Sequence, residues 1–61
     1  MKVQTFLGKV DLEALQQMDH HINDWLMRND IEPTLVKQVF GYQRREPGTE
    51  GDPVLIVSVW F

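Results

Sequence analysis

Cysteine is absent from this chain, which excludes disulfide bridges and every metal site built on thiolates. Basic charge is in short supply: six Lys and Arg stand against nine Asp and Glu, for a formal net charge of −3. Phosphate-backbone binding rests on clustered Lys and Arg, so no nucleic-acid partner is expected. There is no long hydrophobic run. The longest, Pro53 to Phe61, is broken by Ser58 and falls far short of the ~20 residues that cross a bilayer, so no membrane partner is expected. The start, Met1-Lys2-Val3-Gln4-Thr5, lacks the apolar stretch of a secretory signal. The lack of cysteine fits a reducing compartment, and the expected location is cytoplasmic.

Chemical fingerprints are missing as well. Gly8 and Gly41 stand alone, and no P-loop, dinucleotide-binding or nucleophile-elbow motif surrounds them. No acid–base or nucleophile constellation converges, so the expectation is a non-enzyme with no catalytic residue and no cofactor implied.

What remains is a chain of 61 residues, 43% of them hydrophobic. That is apolar enough to fold and long enough for one domain, 1–61. A domain this short buries only about 60% of the surface its unfolded chain exposes. Such cores are usually supplemented by a disulfide, a metal or a partner chain. With the first excluded, good packing or self-association is the expected supplement.

Val3 to Val10 reads as a strand, with Val3, Phe6, Leu7 and Val10 in it. Asp11 is a good helix N-cap, and Glu13 places negative charge in the first turn. Leu12, Leu15, Met18, Ile22, Trp25 and Leu26 then fall on one stripe of a helical wheel. Asn29-Asp30 ends that helix and Pro33 prevents its resumption. Leu35 to Arg44 reads as a second strand, and Pro33 just before it suits a sheet edge. Glu46-Pro47-Gly48 and Gly51-Asp52 mark a long polar hairpin loop, and Val54 to Phe61 is the third strand. The helix returns the chain, so strands one and two run the same way, and the hairpin reverses strand three. Placing strand three in the centre makes every pairing antiparallel. The expected fold is α+β, a β-α-β-β domain with a three-stranded, mainly antiparallel sheet of order 1-3-2 and one helix on one face. A direct right-handed crossover with order 1-2-3 is the alternative.

One helix covers one face of a sheet. Yet strand three is apolar on both: Leu55, Val57, Val59 and Phe61 alternate with Val54, Ile56 and Trp60, Ser58 being the one polar member. Strand two likewise splits Leu35 and Val39 from Val36, Phe40 and Tyr42. A solvated antiparallel sheet face normally alternates apolar with polar, and contiguous apolar patches mark partners or ligands. The simplest partner is a second copy, packed sheet on sheet about a two-fold axis. Phe6, Phe40, Tyr42, Val54, Ile56 and Trp60 are the expected interface residues. The pattern leaves open which face of strand two meets the helix.

Other candidates read more plainly. His20-His21-x-x-Asp24 holds the only concentration of possible metal ligands. His20 and Asp24 share a helix face, but a bound ion needs a third ligand, so the expected reading is a solvated face with a His20–Asp24 pair and no metal. Arg44-Arg45, beside Glu46 and Glu50, reads as solvated loop. Asp19 lies at the edge of the apolar stripe and is expected on its flank. Trp25 lies in the stripe and reads as core, whereas Trp60, on the sheet, is the better ligand or interface candidate.

Three family resemblances accompany this layout. Val3-x-x-Phe6, Leu12-Glu13, Ile22-Asn23-x-Trp25-Leu26, Val39-x-x-Tyr42 and Val57-Ser58-Val59-Trp60-Phe61 resemble small, acidic, uncharacterised bacterial and phage proteins that include a Bacillus-type sporulation-associated family. That resemblance implies no activity. The strand-helix-strand-strand plan is also similar to that of the dodecins, flavin-binding oligomers, which implies an aromatic cofactor at an oligomer interface, stacked on Phe40 or Tyr42. The Gly-Thr-Ser that follows strand one in dodecins is replaced here by Gly8-Lys9-Val10. The size and the opening strand and helix resemble the oxalocrotonate tautomerases, whose catalytic base is an N-terminal proline. Lys2 follows Met1 here, which implies that this activity is absent. Together the residues point to a small self-associating protein, a homodimer or larger oligomer, with small-molecule binding at the oligomer interface as the alternative.

Overall fold

The computed structural model describes residues 1–44, 46–48 and 51–61. Its elements are β1 (Val3–Lys9), α1 (Leu12–Arg28), β2 (Leu35–Gln43) and β3 (Asp52–Trp60). The sheet order is β1-β3-β2 and both pairings are antiparallel. This is the α+β plan with the central third strand, and the 1-2-3 alternative is set aside.

Each end of α1 is closed by side-chain or backbone hydrogen bonds. Asp11, in extended backbone, accepts from the Ala14 amide through its side chain at 2.9 Å, satisfying one of the orphan N–H groups of the first turn. At the other end the Ile31 amide donates to the Leu26 carbonyl (3.0 Å) and the Asp30 amide to the Met27 carbonyl (3.3 Å). These two bonds form a Schellman stop, with its left-handed residue at Asp30, φ 51°. The Asn29 side chain adds a bond to the Trp25 carbonyl at 2.8 Å.

β3 begins two residues earlier than the expected start at Val54. Asp52 pairs with Gln43 and Pro53 with Tyr42. A proline in a central strand loses a ladder bond, but β1 pairing starts only at Lys9↔Val54. Pro53 therefore has β2 beside it and no β1 partner on the side its missing N–H would face. Beyond the other end, Lys2 and Phe61 exchange both backbone bonds, at 2.6 and 2.8 Å.

The core lies between α1 and the β1–β3 half of the sheet. Phe6, Met18, Val57 and Val59 are its buried members, and Ile22, Trp25, Leu26 and Leu55 pack around them. Trp25 stands edge-on to Phe6 and to Phe61, each with ring centroids 5.3 Å apart. Gly8 leaves room for the end of the Met18 side chain, whose methyl a Cβ there would overlap. Of the three strands, only β1 comes near the helix backbone. Leu12 departs from its place in the expected stripe. It is the first helical residue and stays 73% exposed, ahead of the turns that lie on the sheet.

Asp30 occupies a conformation that favours glycine. Asp30→Gly is expected to raise stability by about 0.5–1 kcal/mol, read as a higher denaturant midpoint with unchanged slope. A lower midpoint would mean that the Asp30 side chain contributes more than its backbone strain costs.

Candidate interaction surface

The cross-strand register sorts every sheet side chain to a face. Phe6 and Gly8 on β1, Leu55, Val57 and Val59 on β3, and Val36, Gln38, Phe40 and Tyr42 on β2 share the helix side. The opposite face is built in rows of three across β1, β3 and β2. Val3–Trp60–Leu35 and Leu7–Ile56–Val39 are wholly apolar. Between them runs Thr5–Ser58–Lys37, where the Thr5 and Ser58 hydroxyls lie 3.3 Å apart. Val3, Leu7, Leu35 and Val39 are each about half exposed, from 47% to 59%. Two apolar bars separated by one polar row therefore face outward, with no element of the described chain over them.

The helix side is also incompletely covered. α1 lies toward β1, so β2 extends beyond it. No residue of β2 is buried. Phe40 and Tyr42 stack edge-on to each other, centroids 5.5 Å apart, with 57% and 69% of their surfaces exposed. Between α1 and β2 runs an open groove of about 200 Å³, lined by Met18, Ile22 and Leu26 from the helix and by Val36 and Gln38 from β2. A second depression, of about 310 Å³, lies at the β1–α1 turn against Asp52 and Pro53.

The six residues expected at one interface thus fall in three places. Phe6 is 8% exposed in the core under the helix, which removes it from any outward surface. Phe40 and Tyr42 are on the helix side, beyond the helix. Ile56 and Trp60 are on the opposite face, together with Val54, which is 5% exposed between Lys9 and Gly41. Alternation within one strand shows which residues share a face of that strand, but only the inter-strand register joins those faces across the sheet. The same register identifies Val3, Leu7, Leu35 and Val39 as members of the open face, which no signal within a single strand could show.

The remaining candidates disperse. Asp24 pairs with Arg28, Oδ2 to Nε at 2.9 Å, one turn along the helix, in place of a pair with His20. His21 sets its ring edge-on to Phe6 at 5.6 Å, and His20 is exposed. Among the described residues no group of three His, Cys, Asp or Glu side chains could hold a metal ion. Asp19 is exposed at the lip of the groove. Arg44 is exposed after β2, while Arg45 and Glu50 lie outside the described residues. Trp25 is in the core shell, as its place in the stripe implies. No described helix is long and apolar enough to cross a membrane.

No protein-family model, curated protein or solved structure matches this chain.

With Asp24 engaged by Arg28 and no third ligand nearby among the described residues, zinc is expected to leave the thermal midpoint unchanged, since only a ligand that binds the native state raises it. A midpoint several degrees higher with zinc, lost in His20→Ala, would establish a site.

Proposed function

We propose that this protein is a small non-enzymatic self-associating module of the cytoplasm that uses its helix-free sheet face to build a homo-oligomer. The observation that carries this reading is the pair of apolar rows, Val3–Trp60–Leu35 and Leu7–Ile56–Val39, on the face opposite the helix. Burying them gains about 25 cal/mol per Å² of apolar surface, before the costs of association are subtracted. The intervening polar row favours one arrangement. With the two-fold axis along the strands, each apolar row overlies its own copy, and Lys37 faces the Thr5 of the other subunit. With the axis across the strands and through the polar row, Lys37 would face Lys37.

An aromatic small molecule at the oligomer interface is the second reading, favoured by the exposed Phe40–Tyr42 pair. Visible absorption in freshly purified protein, with a fixed stoichiometry, is the observation that would support it.

Light scattering is expected to find a solution mass above the 7.2 kDa of one chain, and the thermal midpoint to rise with protein concentration. Ile56→Asp puts a charge in the middle of an apolar row, away from the Phe6–Met18–Val57–Val59 core. It should lower the mass while the helical circular dichroism persists. Lys37→Leu, which joins the two rows, should strengthen association. A wild-type monomer at high concentration, with a concentration-independent midpoint, would overturn the reading.

A further inference from the structure

We infer that β2 is a second self-association site, pairing antiparallel with β2 of another copy about a two-fold axis at Gln38. The inference rests on the self-association reading but uses a different surface, the sheet edge. β2 is a nine-residue edge strand with no buried residue and exposed apolar side chains toward both faces. Such an edge presents unpaired N–H and C=O groups, a template for another strand.

The register follows from the backbone. Lys2 and Phe61 exchange both of their bonds, and hydrogen-bonded pairs alternate along an antiparallel ladder. Phe61, Val59, Val57 and Leu55 therefore direct their backbone groups to β1, and Trp60, Ser58, Ile56 and Val54 direct theirs to β2. On β2, Leu35, Lys37, Val39 and Gly41 answer them. Val36, Gln38, Phe40 and Tyr42 are left with backbone groups pointing outward.

Three two-fold registers can engage these outward groups near the middle of the strand. Centred on Lys37, the pairing sets two ammonium groups opposite each other, which is destabilising. Centred on Val39, it sets Phe40 against the amide of Gln38. Centred on Gln38, it sets Val36 against the partner's Phe40 at two symmetric places, and amide against amide, each a donor and an acceptor. Glu32 lies before the start of β2 and Arg44 just after its end, so antiparallel pairing brings opposite charges to the same flank at both ends.

Two features of the fold favour a second copy over an unrelated strand. The first is the groove between α1 and β2. Val36 and Gln38 form its outer lip, so the partner's Phe40, set against Val36, arrives at the groove mouth. The second is area. At ~4.8 Å between strands and ~3.4 Å per residue, a three-stranded face seven residues long has a footprint of roughly 340 Å². Stable interfaces bury about 800 Å² per partner. A two-fold axis normal to the sheet leaves both helices on one side and joins the two open faces into one six-stranded surface of twice that footprint. Edge pairing thus enlarges the face that self-association needs.

The absence of cysteine makes a direct test possible. Paired Cα atoms at a hydrogen-bonded position lie about 5.5 Å apart, within disulfide range. Under mild oxidation, Gln38→Cys should form a covalent dimer, whereas Lys37→Cys and Val39→Cys alone should not. A mixture of those two variants should cross-link to each other. Gln38→Pro removes an outward N–H and leaves the β2–β3 ladder intact, so it should halve the solution mass without loss of circular dichroism. In Ile56→Asp the Gln38→Cys cross-link should persist. If Gln38→Cys cross-links no faster than its neighbours, or Gln38→Pro stays folded at the wild-type mass, the edge site is wrong. The face reading then stands or falls by Ile56→Asp alone. A monomeric wild type would overturn both.

Discussion

The position of helix α1 is the constraint on which the rest of this structure depends. The Met18 methyl fills the space beside Gly8 on β1, and Trp25 locks edge-on against Phe6 and Phe61. These contacts draw α1 toward the β1 side of the sheet. Val57 and Val59 are buried as a result, while β2 lies too far from the helix to be covered. A 17-residue helix offers one apolar stripe, and that stripe is used up on β1 and β3.

Two consequences follow for the surface. The face opposite the helix keeps its apolar rows open because no second layer lies over it among the described residues. The helix side keeps Val36, Phe40 and Tyr42 open because the one layer is off-centre. Neither feature shields the edge of β2, where exposed apolar side chains on both faces meet unpaired backbone groups. For a chain without disulfides, these surfaces are where further stabilisation is available. The polar row Thr5–Ser58–Lys37 interrupts the open face, and Lys37 disfavours the edge register that would set it against its own copy. The same lysine thus bears on the geometry of both surfaces, a specificity element of the sort that edge strands use against unwanted pairing.

Much of the fold was legible in the sequence because it is written in local chemistry. Asp11 as cap, the stripe from Leu15 to Leu26, the Asn29-Asp30 stop and the turn residues of the hairpin each act within a few neighbours. Order 1-3-2 followed from chain reversal and from the apolar character of β3. The boundaries that slipped did so for non-local reasons. Asp52 and Pro53 join β3 because β2 is long enough to pair with them, and Leu12 is exposed because the sheet does not reach it.

The sequence by itself determined the elements, their order and the split of each strand into two faces, since period two along a strand is a property of the backbone. It could not determine how the faces of different strands join, because that is set by register, and register is a relation between residues distant in the chain. Phe6 and Phe40 are both large and aromatic, and both lie on the helix side. One is core and the other exposed only because the helix crosses β1 and not β2. Which aromatic is buried, and which surface is left for a partner, was decided by tertiary packing, in which the apolar stripe of α1 seats on β1 through Met18 and Trp25.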